Sequence, residues 1–130
     1  MKNSLSKLIE FHKAGGVSVE TEPTALISEN LIDLRLDLLQ EELHEYRIAA
    51  KTHDLIGVAD ALTDLLYVLL GTFVAHGLQN HAVALFEEVH KSNMSKFKGL
   101  ESPRLREDGK VLKSPQFQKP NIGAVLAGDG

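Results

Sequence analysis

Five carboxylates stand in two short stretches of this chain: Glu41, Glu42 and Glu45 in the first, Asp60 and Asp64 in the second. Place the first stretch on a helix, at about 100° per residue. Leu31, Leu34 and Leu38 then form an inward stripe, which continues through Glu41, Glu42 and Glu45 to Ala49. Three acids occupy places where leucines belong. A solvated charge run is the competing reading, and the leucine stripe upstream argues against it. Buried carboxylates are costly unless paired or bound to a metal, and like charges raise one another's pKa. Arg35, one to two turns upstream on a nearby azimuth, has charge enough for one of the three. Asp60 and Asp64 are spaced i,i+4 and stack on one face. They share it with Gly57, Tyr67, Val68 and Gly71, where the glycines would let another backbone come close.

A break at Thr52-His53-Asp54 separates the two stretches. Helices joined so briefly are antiparallel neighbours. Folding the chain there sets Glu41–Glu45 opposite Asp60–Asp64 and gathers five carboxylates in one cleft. An all-oxygen set of that kind suits a hard divalent cation, Mg²⁺ or Mn²⁺. A di-iron bundle needs Glu-x-x-His twice, and Glu41…His44 supplies it once. With no Cys in the chain, disulfides, thiol nucleophiles and Cys-ligated zinc or iron–sulfur sites are excluded.

Such a cation site next to basic groups points to phosphoryl chemistry, with a carboxylate activating water. The basic groups lie late in the chain. Residues 1–90 hold 6 basic and 14 acidic side chains, whereas residues 91–130 hold 8 basic and 4 acidic. In the segment from His90 to Lys96, Asn93 and Lys96 are spaced i,i+3 and can present donors to a phosphate or a base. Lys110 and Lys113 follow as point charges that suit phosphate. The overall charge of −4 argues against a dedicated nucleic-acid binder.

The elements that must position these groups are helical, because no stretch alternates cleanly enough for a strand. A first helix spans Ser4–Ala14 and stops at Gly15-Gly16. Ser28 caps a long helix to about Lys51, a third runs from the break to Gly77, and Asn80 caps a fourth to about Phe97. Residues 99–130, with Pro103, Pro115 and Pro120, read as an irregular basic tail on a single domain spanning residues 1–130. Leu55–Ala75 is long enough to span a membrane, but Asp60 and Asp64 would be costly in lipid and no Lys or Arg flanks it closely. Its apolar surface exceeds what three neighbouring helices cover, so the expectation is a homodimer or homotetramer with this helix central, not a membrane protein. Met1–Glu10 lacks the apolar core of a signal peptide, and a cytoplasmic location is expected.

Glu41-Glu42-x-x-Glu45, followed by Asp60-Ala61-Leu62-Thr63-Asp64, resembles the all-α NTP pyrophosphohydrolase superfamily. Val89–Lys96 and Asp108-Gly109-Lys110-x-x-Lys113 look like its phosphoribosyl-ATP pyrophosphohydrolase-like subgroup. The likeness covers about Leu5 to Pro120. It implies an all-α bundle of four to five helices that binds Mg²⁺ and cleaves a nucleoside triphosphate to the monophosphate and pyrophosphate, a nucleotide-pool house-cleaning reaction. It assigns the metals to Glu41, Glu42, Glu45 and Asp64, with Asp60 as a further candidate ligand. Glu42 is the expected water activator, being nearest the stripe centre, with Glu41 the alternative. Asn93, Lys96, Lys110 and Lys113 would hold phosphate or sugar. The chain departs from the pattern once: the usual second motif is Glu-x-x-Asp, and Ala61 stands where its Glu would be. That departure favours the second reading, a non-catalytic helical interaction protein with a structural or regulatory metal site.

Overall fold

The computed structural model describes residues 1–128, and within them the chain is helical, as the absence of strand periodicity predicts. The helices are α1 (Lys2–Ala14), α2 (Glu29–Lys51), α3 (Leu55–Ala75), α4 (Ala82–Met94) and α5 (Ile122–Leu126). They fall into two compact units, residues 1–80 and 81–130.

The first unit is built on the α2–α3 hairpin, with α1 laid against α3. Ser28 caps α2 as expected, its side chain accepting from Leu31 N–H at 3.1 Å. Asp54 caps α3 by accepting from Gly57 N–H at 3.0 Å. Between them His53 sits at φ 57°. That left-handed residue lets His53 N–H bond Ala50 C=O and Asp54 N–H bond Ala49 C=O, which closes α2 in a Schellman motif. The third helix ends at Ala75 because Gly77 takes the same left-handed role, at φ 69°. Its amide bonds Val74 C=O while that of Leu78 bonds Phe73 C=O.

The loop between α1 and α2 is pinned to the end of α3. Thr24 N–H bonds His76 C=O, His76 Nδ1 bonds Thr24 C=O at 2.8 Å, and Gln79 Nε2 donates to Glu20 C=O. Leu5, Leu8, Ala61, Leu70 and Val74 are among the buried apolar residues of this unit. The stripe of α2 is rotated from expectation: Leu34 is 50% exposed, and Arg35 turns toward α3 instead.

In the second unit α4 starts at Ala82 without a side-chain cap, so Asn80 does not cap it. The helix gives way at Met94 to a single 3-10 turn, Ser95–Phe97. The segment beyond residue 99 is more ordered than an irregular tail. Leu105 and Val111 form an antiparallel bridge around a turn in which Asp108 pairs with Arg106 and accepts from Lys110 N–H. Ser92 Oγ donates to Gln118 C=O at 2.8 Å, and Ser114 Oγ donates to Ser95 C=O at 3.0 Å, which straps the segment to the end of α4. Asn121 then caps α5 through Ala124 N–H.

Candidate metal centre

The hairpin register decides which acids meet. Ala49 lies against Gly57, close enough that a Cβ on the glycine would sit 3.0 Å from it. Farther along, Arg35 Nε donates to Thr72 Oγ1 at 3.1 Å. Midway between these contacts, Glu42, Glu45 and Asp64 each bring a carboxylate oxygen within 4.8 Å of the others. Three ligands from two rigid helices thus converge on one point.

The electrostatics of the three suit a cation. Burial raises the Glu42 carboxyl above its ordinary pKa, and repulsion from Glu45, Asp64 and Asp60 raises it further. Glu42 Oε2 is buried without a hydrogen-bond partner. An orphaned carboxylate oxygen between two other carboxylates is what a hard cation would satisfy.

Not every expected ligand joins. Glu41 is exposed and outside the three-residue set, since one residue along a helix turns a side chain by about 100°. Asp60 is also exposed and outside it, near enough to repel Glu42. Ala61 is buried, 2% exposed, and its methyl offers no ligand.

Arg35 neutralises none of the acids. Its guanidinium is spent on Thr72 Oγ1 and on Val68 C=O, at 2.6 Å. The glycines of α3 admit side chains, not a backbone: Gly71 faces the Arg35 guanidinium and His12, and Gly57 faces the Asp54 carboxylate and Ala49. His12 comes from α1. In the structure it is buried beside Arg35, which with burial holds its pKa below the ordinary imidazole value.

The basic candidates all belong to the second unit. Asn93 is exposed on α4, and Lys96 is half-buried in the 3-10 turn, its carbonyl accepting from Ser114 N–H. Lys110 is exposed at the Asp108-Gly109 turn. Lys113 places its ammonium 4.8 Å from the centre of the Phe117 ring, a cation–π contact.

An antiparallel helix hairpin that converges three carboxylates on one point defines a helical protein with a candidate hard-cation site. The comparison with known families makes this specific. Residues 8–93 match the phosphoribosyl-ATP pyrophosphohydrolase family, and the chain belongs to it, within the all-α NTP pyrophosphohydrolase superfamily. No curated protein matches the chain closely enough to add a named relative. Membership indicates a pyrophosphohydrolase, in a family that is typically metal-dependent.

Proposed function

We propose that this protein is a Mg²⁺-dependent nucleoside triphosphate pyrophosphohydrolase, with Mn²⁺ a working substitute. The observation that carries the reading is the convergence of Glu42, Glu45 and Asp64 with an orphaned oxygen on Glu42. Those three residues would hold the cation, which when bound neutralises phosphate charge and orients the triphosphate. Glu42 is the water activator. Its buried oxygen has no hydrogen-bond partner of its own and can take a proton from water. Water adds across the α–β phosphoanhydride, its proton passes to Glu42, and the bond to the leaving pyrophosphate breaks. Asn93, Lys96, Lys110 and Lys113 are proposed contacts to phosphate or sugar. Incubating the protein with a panel of NTPs and dNTPs, Mg²⁺ or Mn²⁺, should show monophosphate and pyrophosphate by ³¹P NMR. No pyrophosphate from any nucleotide with either metal overturns the reading.

The working form is proposed to be a homodimer or homotetramer in the cytoplasm. Leu55 and Ile56 on α3 are 80% and 83% exposed, and Leu62, Leu66 and Leu69 along the same helix are largely uncovered. By length and composition α3 could cross a membrane, but its Asp64 belongs to the carboxylate set, and a charge held at mid-helix is costly in lipid. A second copy of the chain would cover that surface instead. The competing reading, a non-catalytic metal-binding interaction protein, draws on Ala61. It predicts that Mg²⁺ stabilises the fold while nucleotides add nothing.

A further inference from the structure

The second unit has an open hollow of its own, of about 380 Å³, where the late segment is strapped to the end of α4. Its walls are Lys91, Met94, Ser95, Phe97 and Lys98 from the end of α4 and the turn after it, and Gln118 from the strapped segment. Hydroxyls hold the two sides together. Ser92 Oγ donates to Gln118 C=O, and Gln118 N–H donates to Ser95 Oγ at 2.9 Å. Ser95 Oγ in turn donates to Ser92 C=O at 2.6 Å, so the serine is engaged within the strap. Two lysines, a carboxamide and an apolar surface stay open to a ligand. Met94 is 53% exposed and Phe97 half-buried, while Lys91, Lys98 and Gln118 are exposed. No acidic residue lines the hollow, and among the described residues neither lysine is in an ion pair. None of these six residues is a proposed nucleotide contact, and Asn93 lies about 160° from Lys91 around α4.

The occupant must satisfy both kinds of wall. Inorganic phosphate would meet the lysines and leave Met94 and Phe97 in water. A wholly apolar group would leave the two cations without a counter-charge. Single-stranded nucleic acid is held by a track of cations with several stacking aromatics, whereas one half-buried ring and two lysines stand here, on a chain whose overall charge is −4. We propose that this hollow docks an acidic segment of another protein, with one leucine- or phenylalanine-sized side chain seated against Met94 and Phe97 and a carboxylate on either side of it meeting Lys91 and Lys98. Charge complementarity supports this occupant, because residues 91–130 hold 8 basic side chains against 4 acidic. Spacing supports it too. Lys91 and Lys98 are seven residues apart, roughly 10 Å or two helical turns, so acids seven positions apart on a helical partner reach both. A hollow of about 150 Å³ admits a benzene ring, so this larger one has room for the apolar side chain. The Met94 thioether gives an adaptable wall, and the Gln118 carboxamide offers both a donor and an acceptor to the partner's main chain. The inference does not depend on the hydrolase reading.

The test is fluorescence anisotropy of a dye-labelled helical peptide that carries one leucine between two glutamates seven positions apart. The full chain should bind it saturably, with a Kd below about 1 mM. Replacing the peptide's leucine by alanine should weaken binding about tenfold, as loss of a buried aliphatic side chain does. Lys91→Glu and Lys98→Glu should each weaken it about fivefold or more, by setting like charges together. Both lysines are exposed, so these variants should keep the melting temperature of the unmodified protein. Absence of binding overturns the inference, as does equal affinity for the leucine and alanine peptides, or an affinity unchanged in both lysine variants. Tighter binding of an oligothymidylate, or of vesicles containing phosphatidylserine, that the same lysine variants abolish also overturns it.

Discussion

Glu42 carries the most at the residue scale, because it is both crowded by acids and short of a partner. Glu42→Gln should lower kcat about 10²- to 10⁴-fold, the range for loss of a general base. It should also raise the melting temperature of the metal-free protein at neutral pH, since it removes a carboxylate that burial and like charge disfavour. Unchanged turnover, or a fall in metal-free stability, would contradict that role. His12 makes a pH prediction. Its folded pKa lies below its unfolded value, through burial first and Arg35 second. Below about pH 6.5 the unfolded chain therefore binds more protons than the folded one, and stability falls as pH falls. Denaturant midpoints measured between pH 7.5 and 5 should show this slope, and His12→Gln should flatten it. The residues differ in how plainly the sequence shows them. Glu42 and Glu45 are legible because acids interrupt a leucine stripe, and Asp64 because it stacks i,i+4 with Asp60 on an otherwise apolar helix. Glu41 was legible in the same way and yet faces out, since a stripe read from spacing blurs neighbours about 100° apart. Arg35 is not the counter-ion its position suggests: spacing gives an azimuth but not the acceptor waiting across the helix pair.

Helix ends decide whether the acids meet. α2 and α3 are joined by three residues that form the Schellman close of one helix and the side-chain cap of the next. Asp54→Ala should cost about 1 kcal/mol, the usual value of a lost N-cap. Urea unfolding with an unchanged m-value would show it. At the other end of α3, Gly77 combines positive φ with crowding: a Cβ there would lie 2.1 Å from the Glu22 carbonyl oxygen. Gly77→Ala should cost at least about 2 kcal/mol, and a smaller loss would mean that the loop yields freely. These helix boundaries were readable from Ser28, the Thr52–Asp54 break and the Gly15-Gly16 pair, because caps and stops have local chemistry. Beyond Met94 they were not. The Ser92, Ser95 and Ser114 hydroxyls that strap the late segment act across some twenty residues, and serines carry no periodic signal.

At the scale of the molecule, the exposed apolar length of α3 predicts a mass in light scattering that is a multiple of 14.3 kDa. Ile56→Glu should shift it toward the single chain, and a 14.3 kDa species in the unmodified protein would count against the assembly. Metal should act on the whole fold as well. A cation at a hundred times its Kd stabilises by about 2.7 kcal/mol if it binds only the folded state, so Mg²⁺ should raise the melting temperature and a chelator should reverse it. The most direct test is Mn²⁺ binding, followed by loss of the free-ion EPR signal. Glu42→Gln, Glu45→Gln and Asp64→Asn should each weaken binding roughly tenfold or more, at about 1.4 kcal/mol per lost ligand, whereas Glu41→Gln and Asp60→Asn should change it far less. Equal Mn²⁺ affinity in the first three variants and the unmodified protein would contradict the metal centre.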